Sequence, residues 1–329
     1  MKILRGKEAD FNQPSSRKIL DKGFFFALLI VVGLGILSLF TGVYDLKAEG
    51  GYEMFMITRV PRTLALMLTG GSMAMCGLVM QILTQNRFVE PTTSGTIEWA
   101  GLGLVFVYIL IPSPSLVTRM LGAMLFSFIG TSLFFYILRK IKLKSSLIVP
   151  LVGIMLGAII SAVSTFVAMQ FNMMHSIEIW FQGSFATVET GRYELLFLII
   201  FSTALVYILA DKLTIAGLGK DISTSLGLNY HKIVLLGVVA VSFTVGIVAA
   251  VIGNLPFLGL IVPNLVSMAK GDNLKQNLPW VCILGMGTIT LCDILARTII
   301  MPFEVPVSLI LGTIGAVVFI IMLLRGQKK

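Results

Sequence analysis

Charge is scarce in this sequence. Of 329 residues only 12% are Asp, Glu, Lys or Arg, against about 25% in a soluble domain, while 57% are apolar. Mean hydropathy is +0.96. A water-soluble enzyme built on one ordinary core is excluded, and so are disordered and collagen-like chains. Cysteine is scarcer still: Cys76, Cys282 and Cys292 all lie in apolar stretches. That excludes a disulfide scaffold and marks them as small buried hydrophobes. The two histidines, His175 and His231, stand alone in polar gaps, with no metal-ligand spacing around them. No GxSxG or HExxH string occurs. The nearest approach to a phosphate loop, Gly217-Leu218-Gly219-Lys220-Asp221, has Thr214 in place of the first glycine and Asp221 where a Mg²⁺-binding hydroxyl belongs. If ATP drives this protein, another chain must hold it.

What is present is a series of long apolar runs. A membrane-crossing helix needs about 20 apolar residues to span about 30 Å of hydrocarbon. Candidate blocks are Phe24–Thr41, Leu64–Leu83, Thr96–Ile111, Leu116–Leu138, Leu147–Met169, Leu195–Ala210, Ile233–Ile252, a short Leu258–Met268, Trp280–Ile300 and Leu309–Leu324. They predict an all-α integral membrane protein of about ten helices. Residues 1–22 form a cytoplasmic N-terminal segment, 23–325 the membrane domain and 326–329 a cytoplasmic tail. The charged stretch before the first block, with no small-residue site after it, argues against a cleaved signal peptide.

The net charge of +9 reads as topology, with anionic lipid rather than nucleic acid as the counter-ion. With the N-terminus in the cytoplasm, nineteen of the basic residues fall inside and six outside: Lys47, Arg59, Arg62, Arg119, Arg192 and Arg297. Both termini are therefore expected in the cytoplasm.

Two segments cannot be smooth helix. Residues 86–95 follow the second block and contain Pro91; residues 253–264 follow the seventh and contain Pro256 and Pro263. Each proline removes a donor and turns its predecessor away from helix. Such breaks at membrane depth mark a transport path, and their matching placement hints at an inverted repeat. Small residues crowd several blocks (Gly70-Gly71-Ser72 with Gly77, Gly153 with Gly157, Gly312 with Gly315) and suit close helix packing. Glu98 and Asp293 are the acids expected at membrane depth, and Arg297 lies one helical turn beyond Asp293. A carrier coupled to protons or sodium usually needs more buried charge.

Three outer cations have a reason to be there. Arg59 and Arg62 open the second block and Arg297 closes the ninth, so all three reach the outer rim. Guanidinium forks suit docking of an acidic partner, or else merely anchor the helices at the headgroups. On the inner side, Asp221 can cap a short helix that Gly227 ends, with Ile222 and Leu226 as an apolar pair on one face. Such a knob is something a cytoplasmic motor could grip, and an ordinary loop is the other reading.

Arg59-Val60-Pro61-Arg62-Thr63-Leu64-Ala65, followed by Gly70, Gly77, Met80-Gln81, Asn86, Glu90-Pro91 and Gly95, resembles the FecCD-type permeases of ATP-driven importers for ferric siderophores, haem and cobalamin. Pro256-Phe257-Leu258-Gly259-Leu260-Ile261-Val262-Pro263, Asp293-Ile294-Leu295-Ala296-Arg297 and Glu304-Val305-Pro306-Val307 with Gly312 resemble later signatures of that family. The resemblance runs from about residue 55 to 325. It implies a type II ABC importer fold with ten helices per subunit. Two permease subunits, copies or paralogues, would sit over two ATP-binding subunits and under an extracytoplasmic solute-binding protein.

The same resemblance puts Arg59, Arg62 and Arg297 against glutamates of the binding protein. It makes Lys220, Asp221, Ile222, Ser225, Leu226 and Gly227 the coupling helix, and places Lys144, Ser145, Ser146 and Leu147 at a cytoplasmic gate. No catalytic residue, metal or cofactor is expected on this chain, with ATP and Mg²⁺ in the ATPase partner. Asn264 departs from the family, where a histidine often follows the proline. The polar run Thr92–Glu98 resembles the branch handling catechol-type siderophores. Ferric siderophore is the expected cargo, haem or cobalamin the alternative. A lone secondary transporter using Glu98 is the rival class.

Overall fold

The computed structural model describes residues 21–42, 49–141, 146–271 and 273–326. Among them the chain is helical throughout, without a strand. It begins with α1 (Lys22–Phe40) and a single turn, α2 (Gly51–Met54). A π-helical turn, Phe55–Arg59, then leads without interruption into α3 (Val60–Leu83). After the first break come α4 (Thr96–Leu110), α5 (Leu116–Lys140), α6 (Ile148–Gln170) and a short α7 (Met174–Phe181). A 3₁₀ segment, Tyr193–Leu198, precedes α8 (Ile199–Ile208), α9 (Ala210–Ala216) and α10 (Lys220–Ser225). The remainder is α11 (Tyr230–Val251), α12 (Leu258–Lys270), α13 (Leu274–Thr298) and α14 (Val307–Gly326).

Polar side chains set several starts by accepting an amide hydrogen bond one turn on. Asp21 accepts from Phe24 N at 2.9 Å, Ser115 from Thr118 N at 3.2 Å, Asn229 from Lys232 N at 3.1 Å, and Asn273 from Gln276 N at 3.2 Å. Asp21 also holds Lys270, Oδ2 to Nζ 2.6 Å, which ties the start of α1 to the end of α12.

Among the described residues six helices are long and apolar enough to cross a membrane, seven if the bent pair formed by Tyr193–Ile208 and α9 is one span. Three shorter apolar helices, α4, α12 and Val307–Met322 of α14, account for the remaining apolar blocks of the sequence. The helix that carries Arg62 starts earlier than hydropathy predicts, at Gly51, because the π turn keeps the backbone helical through Arg59. The sixth block ends in a bend: the chain turns by 61° between Ile208 and Ala210, the last residue of that block. The second break is also shorter than expected. Helix resumes at Leu258, and Pro263 lies inside α12; the interruption falls at Pro256 and at Phe257, whose φ is +63°. α7 was not foreseen, since it falls in a gap between apolar blocks.

The core is organised on α3, whose apolar window is 83% buried, while that of α6 is only 22% buried. α3 is thus wrapped by the rest of the chain and α6 presents apolar side chains outward. Glycine makes the close approaches. A Cβ on Gly77 would collide with the Gly259 carbonyl of α12, and one on Gly70 with Ile289 and the Gly285 carbonyl of α13. Helix backbones pack this tightly where lipid supplies no hydrophobic drive between them.

Candidate functional site

The N-terminal end of α3 brings Arg59 and Arg62 beside Arg297 of α13. The three are 7, 9 and 4% exposed, so all are buried although the sequence puts them at a rim. The fork of Arg62 is filled from within. Its Nε and Nη2 donate to Oδ1 of Asp293 at 3.2 and 2.8 Å, and Nη1 donates to both oxygens of Glu304 at 3.0 and 2.8 Å. Arg297 comes from one turn further along α13. Its Nη1 donates to the Ser38 and Thr41 carbonyls at 3.0 and 2.8 Å, and Nη2 to the Ser38 hydroxyl at 2.6 Å.

The second oxygen of Asp293 lies 2.8 Å from Nη2 of Arg297, close in charge but not aligned as a hydrogen bond. Two guanidinium and two carboxylate groups thus neutralise one another in a site from which most water is excluded. A fully buried Asp293 between two cations satisfies the rule that buried charge must be paired. Arg59 donates to the Leu39 carbonyl at 3.4 Å. With Phe185, Val188 and Glu304 the three arginines line a depression of about 210 Å³. The sequence signals Asp293–Arg297 through its one-turn spacing; Glu304 was read only as part of a family signature.

The C-terminal end of α3 is where the two breaks meet. The buried carboxylate of Glu90, in the first, accepts from Phe257 N of the second at 2.8 Å and from the Thr92 hydroxyl at 2.6 Å. Asn264 donates to the Arg87 carbonyl at 2.8 Å and to the Leu260 carbonyl at 2.7 Å. Gln81 of α3 donates to the Gly259 carbonyl at 3.2 Å. Irregular backbone at depth is tolerable because each break answers the other's polar groups. Glu90 is therefore a further acid at depth, buried like Asp293, while Glu98 is only partly buried. The place of Glu90 in a Pro-containing turn hid it from hydropathy.

From there, hydrogen bonds reach the segments expected to form the gate and the coupling helix. Asn86 donates to the Ser146 carbonyl, and Gln85 donates to the Gly217 carbonyl at 2.9 Å. Ser146 and Leu147 are exposed at the start of α6, whereas Lys144 and Ser145 lie outside the described residues. In α10 the cap is Gly219, with φ +100°, and not Asp221, which falls one step inside the helix and leaves its side chain exposed. Gly227 does end it: Gly227 N donates to Thr224 O and Leu228 N to Ser223 O, both at 2.9 Å, a left-handed stop that suits glycine. Ser223 is buried and donates to Ile215 and Gly219 carbonyls. That anchors the helix and turns Ile222 and Leu226 outward, 50 and 63% exposed. Lys220, Asp221 and Ser225 are exposed around them.

Glu98 of α4 lies against Gly157 of α6, its Oε2 buried without a hydrogen-bond partner. Among the described residues no group of three or more His, Cys, Asp or Glu side chains could hold a metal ion.

Comparison with known proteins places this arrangement. The FecCD transport family matches residues 23–325. The chain is 66% identical to the petrobactin import system permease protein FatD of Bacillus anthracis, over 97% of each chain. It is 42% identical to the petrobactin import system permease protein YclN of Bacillus subtilis, covering 92% of this chain and 98% of that one. With the ferric-anguibactin transport system permease protein FatD of Vibrio anguillarum it shares 39% identity, covering 85% and 89%. A solved structure described as a metal-chelate type ABC transporter in an inward-facing conformation superposes with a TM-score of 0.80 at 25% identity, covering 92% of this chain and 99% of that one. The match spans both breaks, the buried arginine network and α10: the chain belongs to the FecCD transport family.

Proposed function

We propose that this chain is the membrane-spanning permease subunit of an ABC importer that carries ferric siderophore across the bacterial cytoplasmic membrane. It is not itself an enzyme. A second permease subunit, a copy or a paralogue, completes the path; two ATP-binding subunits below hold ATP and Mg²⁺, and a solute-binding protein delivers cargo from outside. Both termini lie in the cytoplasm, as the distribution of basic residues requires.

One observation carries this reading. A single buried helix, 24 residues and about 36 Å long, holds the arginine cluster at one end and the junction of the two breaks at the other. Gln85, just past its inner end, touches the turn before α10. The depression at Arg59, Arg62 and Arg297 is the place for an acidic surface of the binding protein. Lys220, Asp221, Ile222, Ser225, Leu226 and Gly227 form the face held by the ATPase, and Ser145, Ser146 and Leu147 lie at the cytoplasmic gate. A rigid element packed on all sides transmits a push; a loop would absorb it. Ferric siderophore is favoured over haem or cobalamin by the 66% identity to a petrobactin import permease.

The test is uptake by proteoliposomes holding the complete complex. Transport should need ATP and the binding protein and should continue when the proton gradient is dissipated. Accumulation by this chain alone, or loss of transport with the proton gradient while ATP is maintained, overturns the reading in favour of a secondary transporter working through Glu98.

A further inference from the structure

Two outer-side cations, Arg119 and Arg192, belong neither to the α3 cluster nor to the coupling face. They line one cavity of about 300 Å³, bounded by the start of α5, the ends of α7 and α11, and the 182–192 loop. Arg119 is set in place by Nη1, which donates to the Tyr108 hydroxyl at 3.0 Å, and its guanidinium carbon lies 5.8 Å from that ring's centroid. Tyr108 in turn stacks on Trp180, with centroids 4.5 Å apart and planes 23° from parallel. The Nε of Arg119 is buried and has no hydrogen-bond partner. Arg192 reaches a backbone carbonyl, that of Thr187, at 3.5 Å. Among the described residues neither arginine is ion-paired, and no Asp or Glu lines the cavity.

The contrast with the other outer cluster is chemical. There, two arginines are neutralised by two carboxylates of the same chain. Here, a half-buried guanidinium keeps an unused donor and a second one faces the same space, beside the hydroxyls of Ser184 and Thr187. Leaving a desolvated donor unpaired is unfavourable, and a negatively charged oxygen is the group that removes the cost. The flat face of Trp180 supplies apolar contact on the same wall.

We propose that this cavity is a binding site for an oxyanion, a carboxylate or phosphate carried on a flat or apolar body, with Arg119 and Arg192 as its donors. Two sources offer that chemistry at the outer surface: an organic chelate on its way in, and the headgroup of an outer-leaflet phospholipid. The chelate as occupant rests on the import reading above; the site itself does not, since binding can be measured without ATP, binding protein or transport.

The experiment uses the purified permease complex in a nonionic maltoside detergent free of phospholipid. Trp99→Phe and Trp280→Phe leave Trp180 as this chain's one indole, and benzoate, citrate and inorganic phosphate serve as probes. A saturable change in Trp180 emission is expected. Arg119→Gln should weaken it about tenfold or more, the worth of a charge-assisted contact, and Arg119→Lys should restore part. Arg192→Gln, at an exposed position, reads the same site should the Arg119 variant fail to fold. In nanodiscs containing phosphatidylglycerol, loss of the probe response through Arg119-dependent competition identifies the headgroup as occupant. An undiminished response there identifies the small anion. No saturable response to any probe or lipid, or folded Arg119→Gln and Arg192→Gln variants that respond as the parent does, overturns the proposal.

Discussion

Nη2 of Arg62, near the N-terminal end of α3, lies 2.8 Å from Oδ1 of Asp293 on α13, 231 residues away in the chain. The pair staples two closely packed helices at the ends that carry the arginines. It also decides how Arg62 can serve a partner. Asp293 and Glu304 already occupy the whole guanidinium fork, so an incoming carboxylate must share or displace one of them. Asp293 is fully buried, whereas the Glu304 side chain is 33% exposed. Glu304 is the one that can yield.

Removing the buried partner should therefore be costly. Asp293→Asn leaves Arg62 and Arg297 with one carboxylate between them and should destabilise the fold by about 3–5 kcal/mol, the usual result of orphaning a buried charge. Glu304→Gln should cost much less, because water can reach Arg62 from that side. Thermal unfolding of the purified complexes orders the two variants. Equal stabilities would show that Asp293 is not the anchor.

Glu304→Gln should also change docking. If an acidic surface of the binding protein competes with Glu304 for Arg62, removing the internal competitor should tighten association severalfold and make it more salt-dependent. Surface plasmon resonance with the cognate binding protein measures both. Weaker association would mean that Glu304 touches the partner directly.

Arg59→Glu combined with Arg62→Glu should abolish uptake while the protein stays in the membrane, and Arg59→Glu alone, which spares the Asp293 staple, should reduce docking at least tenfold. Uptake of radiolabelled iron at matched expression levels provides the readout. Normal transport by the double variant removes these arginines from the docking face.

Ile222→Asp with Leu226→Asp places two charges on the exposed face of α10 without touching the buried anchor Ser223. The ATPase subunit should no longer co-purify, and stimulated hydrolysis should fall to the level of the free ATPase. Full co-purification with full stimulation would move the coupling contact elsewhere.

The tie between α1 and α12 should depend on pH. The Lys270 ammonium, helped by the Phe24 amide, holds the Asp21 carboxyl below its usual range. A group whose folded pKa is lowered stabilises fully above its unfolded value, about 3.9, and loses that contribution as pH falls through the folded value. Asp21→Asn should therefore speed amide exchange in the first turn of α1 at pH 7. Once pH falls below the lowered folded value, the variant and parent should converge. A difference that persists in acid would assign the effect to the cap alone.

Much of the fold was legible because the bilayer is a demanding solvent. Apolar runs such as Ile233–Ile252 and Leu116–Leu138 had to be helices, since no other open-ended structure satisfies its own backbone in hydrocarbon. The breaks were legible from Pro91 and Pro256, and the end of α10 from Gly227. The bend between Ile208 and Ala210 carries no proline and left no mark. Pro263 misled in the other direction: it sits within the second turn of α12, where the lost donor and local distortion were accommodated. Asp221 looked like a cap because it is a good one in general, but Gly219 took the role through a left-handed backbone.

The sequence by itself determined the membrane, the orientation its basic residues favour, the positions of the two interruptions and the one-turn pairing of Asp293 with Arg297. These depend on transfer free energy and local backbone chemistry, which act over a few residues. Only the tertiary structure decided that the rim arginines are buried, that Glu304 completes the fork of Arg62, and that Glu90 binds the amide of Phe257. Those contacts join residues more than 150 positions apart, and they exist because glycines such as Gly77 and Gly259 let α3 and α12 come together at backbone distance.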